Sequence, residues 1–182
     1  MQNTSLQYDA AIKLCKDIFL KKMKDYGTAW RNLRPTSLTD QIFIKAQRIK
    51  SIEEKGTQKV IDDIKGEYIG IINYCIIALI QMELENDNRV ELPYEEVEKL
   101  YTKYANQTKK LMDQAGLAQL DDFIQAPFAH FPTHLYENTS AKILDSRLRF
   151  FRNAIQDLIL IFTQHVLVDL PGRAKLGFRF LV

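Results

Sequence analysis

Between Val60 and Leu79 the chain carries Val60, Ile61, Ile64, Tyr68, Ile71, Ile72, Cys75, Ile76 and Leu79, apolar residues at helical spacing around most of a helix's girth. A helix that is apolar on nearly every side must be surrounded, so it is expected at the centre of the core. Other periodic segments can surround it. From Leu6 to Met23, Ala11, Cys15, Ile18, Phe19 and Met23 fall on one helical face, and Gly27 is placed to stop that helix. After the polar connector GTAWRNLRPTS, Ser37 with Asp40 three residues on reads as a capping-box-like start. Leu38, Ile42, Ile49 and Ile52 then mark a second helix to about Glu54, closed by the turn EEKGTQK. Beyond the turn-like NDNRVELP, Pro93 suits a first helical position, and Val97, Leu100, Tyr101, Tyr104 and Leu111 continue at helical spacing.

From Gly116 to Ser140 the pattern weakens: a short helix over 117–125, then a loop through PFAHFPTHLYENTS with its two prolines. A last long helix fits Ala141 to about Val168, ended by Pro171 and Gly172. No strand pattern competes, so the expected fold is all-α, a helical bundle of about five to six helices.

Composition removes several classes. With 46% hydrophobic and 26% charged residues, and only 7 Gly and 5 Pro in 182, the chain can bury a core and is neither disordered, collagenous nor low-complexity. Cys15 and Cys75 lie far apart on apolar helix faces and cannot form a disulfide framework or a four-thiolate site. The N-terminus has neither a basic start nor an apolar run, so no signal or transit sequence is expected and the cytoplasm is the expected location. Tyr68 to Leu84 and Ala154 to Val168 are each shorter than the roughly 18–20 clean apolar residues of a membrane span. The net charge of +2 conceals an asymmetry: residues 1–60 carry 12 basic and 6 acidic side chains, the remainder 13 and 17. Such a basic face suits phosphate, or simply solvent. A pI near 8.4 is too mild to argue for DNA by charge, and nucleic-acid motifs are absent.

The chemically richest stretch is KDYGTAWRNLRPTSLTD, which sets Lys24, Asp25, Tyr26, Gly27, the only Trp (Trp30), Arg31, Arg34, Ser37, Thr39 and Asp40 within one helix-loop-helix. Free amides at a helix start favour an anion, Arg31 and Arg34 can fork onto phosphate oxygens, and Trp30 or Tyr26 can stack on a base. Trp30 can equally plug the corner between two helices, with Asp25 pairing an arginine. A second cluster is acidic. Glu53 and Glu54 end the second helix, while Asp62, Asp63 and Glu67 open the third. Carboxylates facing one another from two helices are how a helical protein holds Mg²⁺, and Asp63 and Glu67 share a face. Acidic residues near a helix N-terminus are also ordinary dipole partners. His130 and His134 have the four-residue spacing of a helical zinc pair, but Pro132 lies between them. His165 reads as a packed core residue. No Gly-rich phosphate loop, GxSxG or HExxH occurs, so no catalytic residue is assigned.

The segment KKMKDYGTAWRNLRPTSLTDQIFIKAQRIKSIEEKG, with EYIGIINYCIIALIQ after it, resembles the nucleotide modification associated domain 1 family of bacteria and phages, over about Leu6 to Met82. The residues that carry the resemblance are Lys22, Asp25, Tyr26, Gly27 and Trp30, then Asp40, Lys45 and Arg48, then Glu67, Asn73 and Tyr74. The family is associated through gene context with enzymes that modify nucleotides or bases, and its helical layout is similar to the MazG-like all-α nucleotide pyrophosphatases. Two departures stand out. Gly70 occupies the place, three before Asn73, where relatives often have an acid, and the MazG EExxE and ExxD pairs are not present in order.

The resemblance implies a nucleotide-associated helical unit over 1–90 and a second helical half over 91–182. Tyr8, Lys13 and Asp17 echo in Tyr104, Lys109 and Asp113, so the second half could be a degenerate repeat, although the echo fails after Asp113. The expected function is binding of a nucleotide or nucleotide-like molecule, with Mg²⁺-dependent phosphohydrolysis as the activity that a MazG likeness implies. Lys22, Asp25, Tyr26, Trp30, Arg31, Arg34, Asp40, Lys45, Arg48 and Asn73 would hold the ligand. Glu54, Asp63 and Glu67 would hold the metal. The rival is a non-enzymatic helical interaction or dimerisation module; homo-oligomer formation fits both. Geometry separates the two: carboxylates splayed outward and a flat basic loop would favour the rival.

Overall fold

The computed structural model describes residues 2–55 and 61–124, and every regular element among them is helical. Helix α1 spans Gln2–Tyr26, α2 Pro35–Lys55, α3 Ile61–Glu83 and α4 Tyr94–Ile124, with a 3₁₀ turn at Ala29–Asn32. The helix expected over 141–168, the loop before it, the tail after it and all three histidines lie outside the described residues.

Helix α3 is at the centre, as its pattern requires. Ile71, Ile72, Cys75, Ile76, Leu79 and Ile80 are fully buried, and α1, α2 and α4 each pack against it. Its stretch Ile64–Glu83 is 20 residues, longer than the sequence reading allowed and apolar enough to cross a membrane by length and composition. Yet 67% of its most apolar window is buried by protein. Ala11, Cys15, Phe19 and Met23 of α1, Leu38, Ile42, Ala46 and Ile49 of α2, and Val97, Tyr101, Tyr104 and Ala105 of α4 complete one core.

A buried polar node pins three helices together. Tyr101 Oη donates to Asn73 Oδ1 at 2.8 Å, Asn73 Nδ2 donates to the Cys15 carbonyl at 3.2 Å, and nearby Tyr8 Oη donates to the Ala105 carbonyl at 2.8 Å. Each hydroxyl is satisfied, so burial costs little stability. Burial pushes both phenols well above the usual tyrosine range and raises the Cys15 thiol to about 12. The echo between α1 and α4 is not an equivalence of environment, because Tyr104 Oη donates to Glu83 Oε2 at 2.7 Å rather than to a main-chain carbonyl.

The helix boundaries differ from expectation in two places. Helix α2 starts at Pro35, whose fixed φ and missing N–H suit the first turn, with Leu38 N–H donating to the Arg34 carbonyl at 3.2 Å. Ser37 is therefore inside the helix and does not cap it. Helix α4 runs unbroken to Ile124 through Gly116. One glycine costs about 1 kcal/mol relative to alanine in a helix, which good helix formers on either side offset.

Candidate functional site

The site begins with the corner between α1 and α2. Gly27 has φ +58°, the left-handed conformation that ends α1, and its N–H donates to the Met23 carbonyl at 2.9 Å. A Cβ here would also stand 3.1 Å from Glu91 Oε2. Thr28 follows, fully buried, its hydroxyl donating to the Val90 carbonyl at 2.7 Å and accepting from the Leu92 N–H at 3.1 Å. Thus the connector before α4 is stapled under the connector after α1.

Two more side chains complete the staple. Gln81 Nε2 lies 3.1–3.3 Å from the carbonyl oxygens of Trp30, Arg31 and Leu33, holding the 3₁₀ turn against α3. Arg31 reaches the other way. Its Nε donates to the Arg89 carbonyl at 3.1 Å, Nη1 donates to Gln81 Oε1, and Nη2 donates to the carbonyls of Asp87 and Leu84. The connector it grips is itself ordered by Arg89, which pairs with Asp87 at 2.6 Å and with Glu96 at 2.7 Å. Hydrogen bonding to Arg89 pulls the Asp87 carboxyl down to about 2.

Held this way, the corner forms one end of a cavity of about 540 Å³ between α1, the 3₁₀ turn, α2 and α3. Of the expected ligand residues, Lys22, Tyr26, Trp30, Lys45 and Asn73 line it, and Gly27 is in its wall. Asp25, Arg34, Asp40 and Arg48 are exposed and outside the lining, and Arg31 is turned toward the α3–α4 connector. Asn73 reaches the cavity with its amide already engaged by Cys15 and Tyr101. Gln41, Gly66, Gly70 and Tyr74 were not expected as ligand residues and also line it. Among the described residues the lining contains two lysines and no carboxylate.

Trp30 forms part of the floor. Its ring lies 6.5 Å from that of Phe19, tilted by 48°, and Phe19 in turn stacks 5.0 Å from Tyr101. Its Nε1 is buried and has no acceptor among the described residues. An indole N–H left unpaired in such a place costs about 1–3 kcal/mol.

Lys45 and Gly70 also line the cavity. Lys45 Nζ donates to Glu67 Oε2 at 2.9 Å, and Arg48 Nη1 lies 3.3 Å from Glu67 Oε1. Glu67 is buried, at 6% exposure, and two cations compensate its charge. A Cβ on Gly70 would stand 2.6 Å from Lys45 Cε and 2.9 Å from Cδ and Nζ. The lysine therefore crosses α3 directly over Gly70, and a Cβ there would make its flexible end shift aside. The residue that looked like a missing acid is the seat of a lysine.

Of the three expected metal ligands, Glu67 is committed to Lys45 and Arg48, and the side chains of Glu54 and Asp63 lie outside the described residues. No group of three His, Cys, Asp or Glu able to hold a metal occurs among the described residues.

Residues 22–82, about a third of the chain, match the family model described as nucleotide modification associated domain 1. The match starts later than the Leu6 expected from the sequence. All cavity-lining residues except Ile18 and Phe19 fall within it. No curated protein and no solved structure matches the chain.

Proposed function

We propose that this chain binds a nucleotide or nucleotide-like small molecule in the cavity between α1, α2 and α3. The observation that carries the reading is the convergence of Lys22, Tyr26, Trp30 and Lys45 on one cavity of about 540 Å³. Residues dispersed over 24 positions supply cations for phosphate and rings for a base at the same place. The volume falls in the range of about 300–1,000 Å³ typical of small-molecule sites. The name of the matching family supports the same ligand class.

Mg²⁺-dependent hydrolysis of the MazG type, on Glu54, Asp63 and Glu67, is a more specific version. It would require Glu67 to leave Lys45 and Arg48, exposing two uncompensated cations beside the new metal charge. Binding is thus the better-supported reading, with turnover to be sought by product release in Mg²⁺ or Mn²⁺. The rival interaction module draws support from Phe43 and Ile44, adjacent on α2 and 58% and 55% exposed.

The test is a thermal-shift screen of the purified chain against ribo- and deoxynucleotides, alongside Lys22→Met. Lys22 is exposed, so its replacement spares the fold. A ligand-dependent rise in Tm that shrinks in the variant supports the reading. No response to any nucleotide refutes it and favours the interaction module.

A further inference from the structure

We infer that Gln41 is the residue that tells one base from another in this cavity, its side-chain carboxamide hydrogen-bonding the edge of the base. The inference rests on the nucleotide reading above and adds the group that sets its specificity. Gln41 lies one turn before Lys45 on the face of α2 that lines the cavity, and it is half-buried. Sorting the polar side chains of the lining by their partners sets it apart. Both ends of the Asn73 amide are engaged inside the bundle, and Lys45 is paired with Glu67 at 2.9 Å. Trp30 offers its ring alone, because its Nε1 is buried. Lys22, Tyr26, Gln41 and Tyr74 have no hydrogen-bond or ion-pair partner among the described residues.

Those four groups differ in what they can discriminate. A phenol hydroxyl turns its one hydrogen toward whatever a base presents, and an ammonium group recognises charge rather than the order of donors and acceptors. The Gln41 carboxamide holds an acceptor and donors in one plane. It pairs with a base edge that sets a donor beside an acceptor, and it leaves a group unpaired against an edge of two acceptors. Unpaired polar groups of that kind are what make a site reject the wrong ligand. Lys22, exposed and cationic, then contributes to every nucleotide alike, and Gln41 contributes to one base above the others.

The experiment is calorimetric titration of the full chain, and of Gln41→Met, Gln41→Glu and Lys22→Met, with ribonucleotides carrying adenine, guanine, cytosine and uracil in one phosphorylation state. The expected result is that the parent prefers one base by about tenfold, and that Gln41→Met brings that ratio close to one while the Tm of the free protein is unchanged. Gln41→Glu, of the same shape but without the donors, should weaken the favoured base by about tenfold as well. Lys22→Met should weaken all four and keep their order. A base preference that survives in Gln41→Met, or a parent that binds the four bases alike, overturns the assignment and leaves nucleotide binding intact. A loss in Gln41→Met that is equal for all four bases makes Gln41 a packing residue and overturns it too. Absence of binding by every nucleotide removes both readings.

Discussion

Gly66 and Gly70 lie one turn apart on α3, and the same substitution at the two should change stability unequally, with the larger gain at Gly66. Replacing a mid-helix glycine by alanine is worth about 0.5–1 kcal/mol in backbone entropy. At Gly66 the new methyl meets nothing within 4 Å among the described residues, so nothing there opposes the gain. At Gly70 it would stand 2.6 Å from Lys45 Cε and 2.9 Å from Nζ, against an ordinary contact of about 3.5–4 Å. The flexible end of Lys45 must then swing aside by roughly 1 Å, which strains its 2.9 Å bond to Glu67.

A hydrogen bond to a charged group of this kind contributes about 1.5–3 kcal/mol. Full loss of that bond, less the helix gain, would be about 0.5–2.5 kcal/mol and is the upper limit of the effect, because a flexible side chain yields and Arg48 stays on Glu67 at 3.3 Å; Gly70→Ala should therefore fall short of the Gly66→Ala gain. Urea denaturation midpoints at unchanged m measure both variants. A Lys45→Ala background supplies the internal check, because with the lysine cut back to Cβ the Gly70→Ala change should become stabilising, as at Gly66. If Gly70→Ala stabilises the unaltered chain as much as Gly66→Ala does, Lys45 does not lie over Gly70.

Arg31→Ala should lower stability by about 2 kcal/mol, or roughly 4–8 °C in Tm for a chain of this size, since it removes donors to four acceptors on α3 and its following connector. Nucleotide affinity of the folded fraction should stay within about twofold, an outcome opposite to a phosphate-binding role. Alkaline pH should destabilise the fold. Tyr8, Tyr101, Cys15 and Cys75 all have folded pKa values raised by burial, so they hold their protons after the unfolded chain has released its own. Their contribution is complete below pH about 9 and falls as pH rises from there, through the Cys15 value of about 12, by up to about 1.4 kcal/mol per pH unit for each group. Tm measured between neutral pH and about pH 11 should fall more gently in Cys75→Ala than in the parent.

The helices were legible where periodicity was strong. The apolar run in α3 announced its central position, and Gly27 marked the end of α1 because a positive φ is needed there. Pro35 was missed as a helix start because Ser37 and Asp40 offered a plausible cap two residues later, and local text cannot rank the two. Within the site, Tyr26 and Trp30 stood out by residue type, and Lys45 only through the family resemblance. Arg31 did not declare its partners, because the carbonyls it grips come from residues 84–89, and main-chain oxygens leave no mark in a sequence. Asn73 likewise looked like a ligand residue until its two partners, on α1 and α4, were seen. Gly70 was the most misleading position: read along the chain it is a lost carboxylate, and read across two helices it is the space a lysine occupies.

The central claim is that the cavity beside Trp30 is a nucleotide site, and the chain's only tryptophan is in its wall. The most direct measurement is therefore intrinsic tryptophan fluorescence, excited at the red edge of the indole band, during titration with ribo- and deoxynucleotides. The account predicts a saturable change in intensity and wavelength that moves to higher concentration in Lys22→Met. A flat response from Trp30 while calorimetry reports binding would place the ligand elsewhere, and a flat response in both would contradict the account outright.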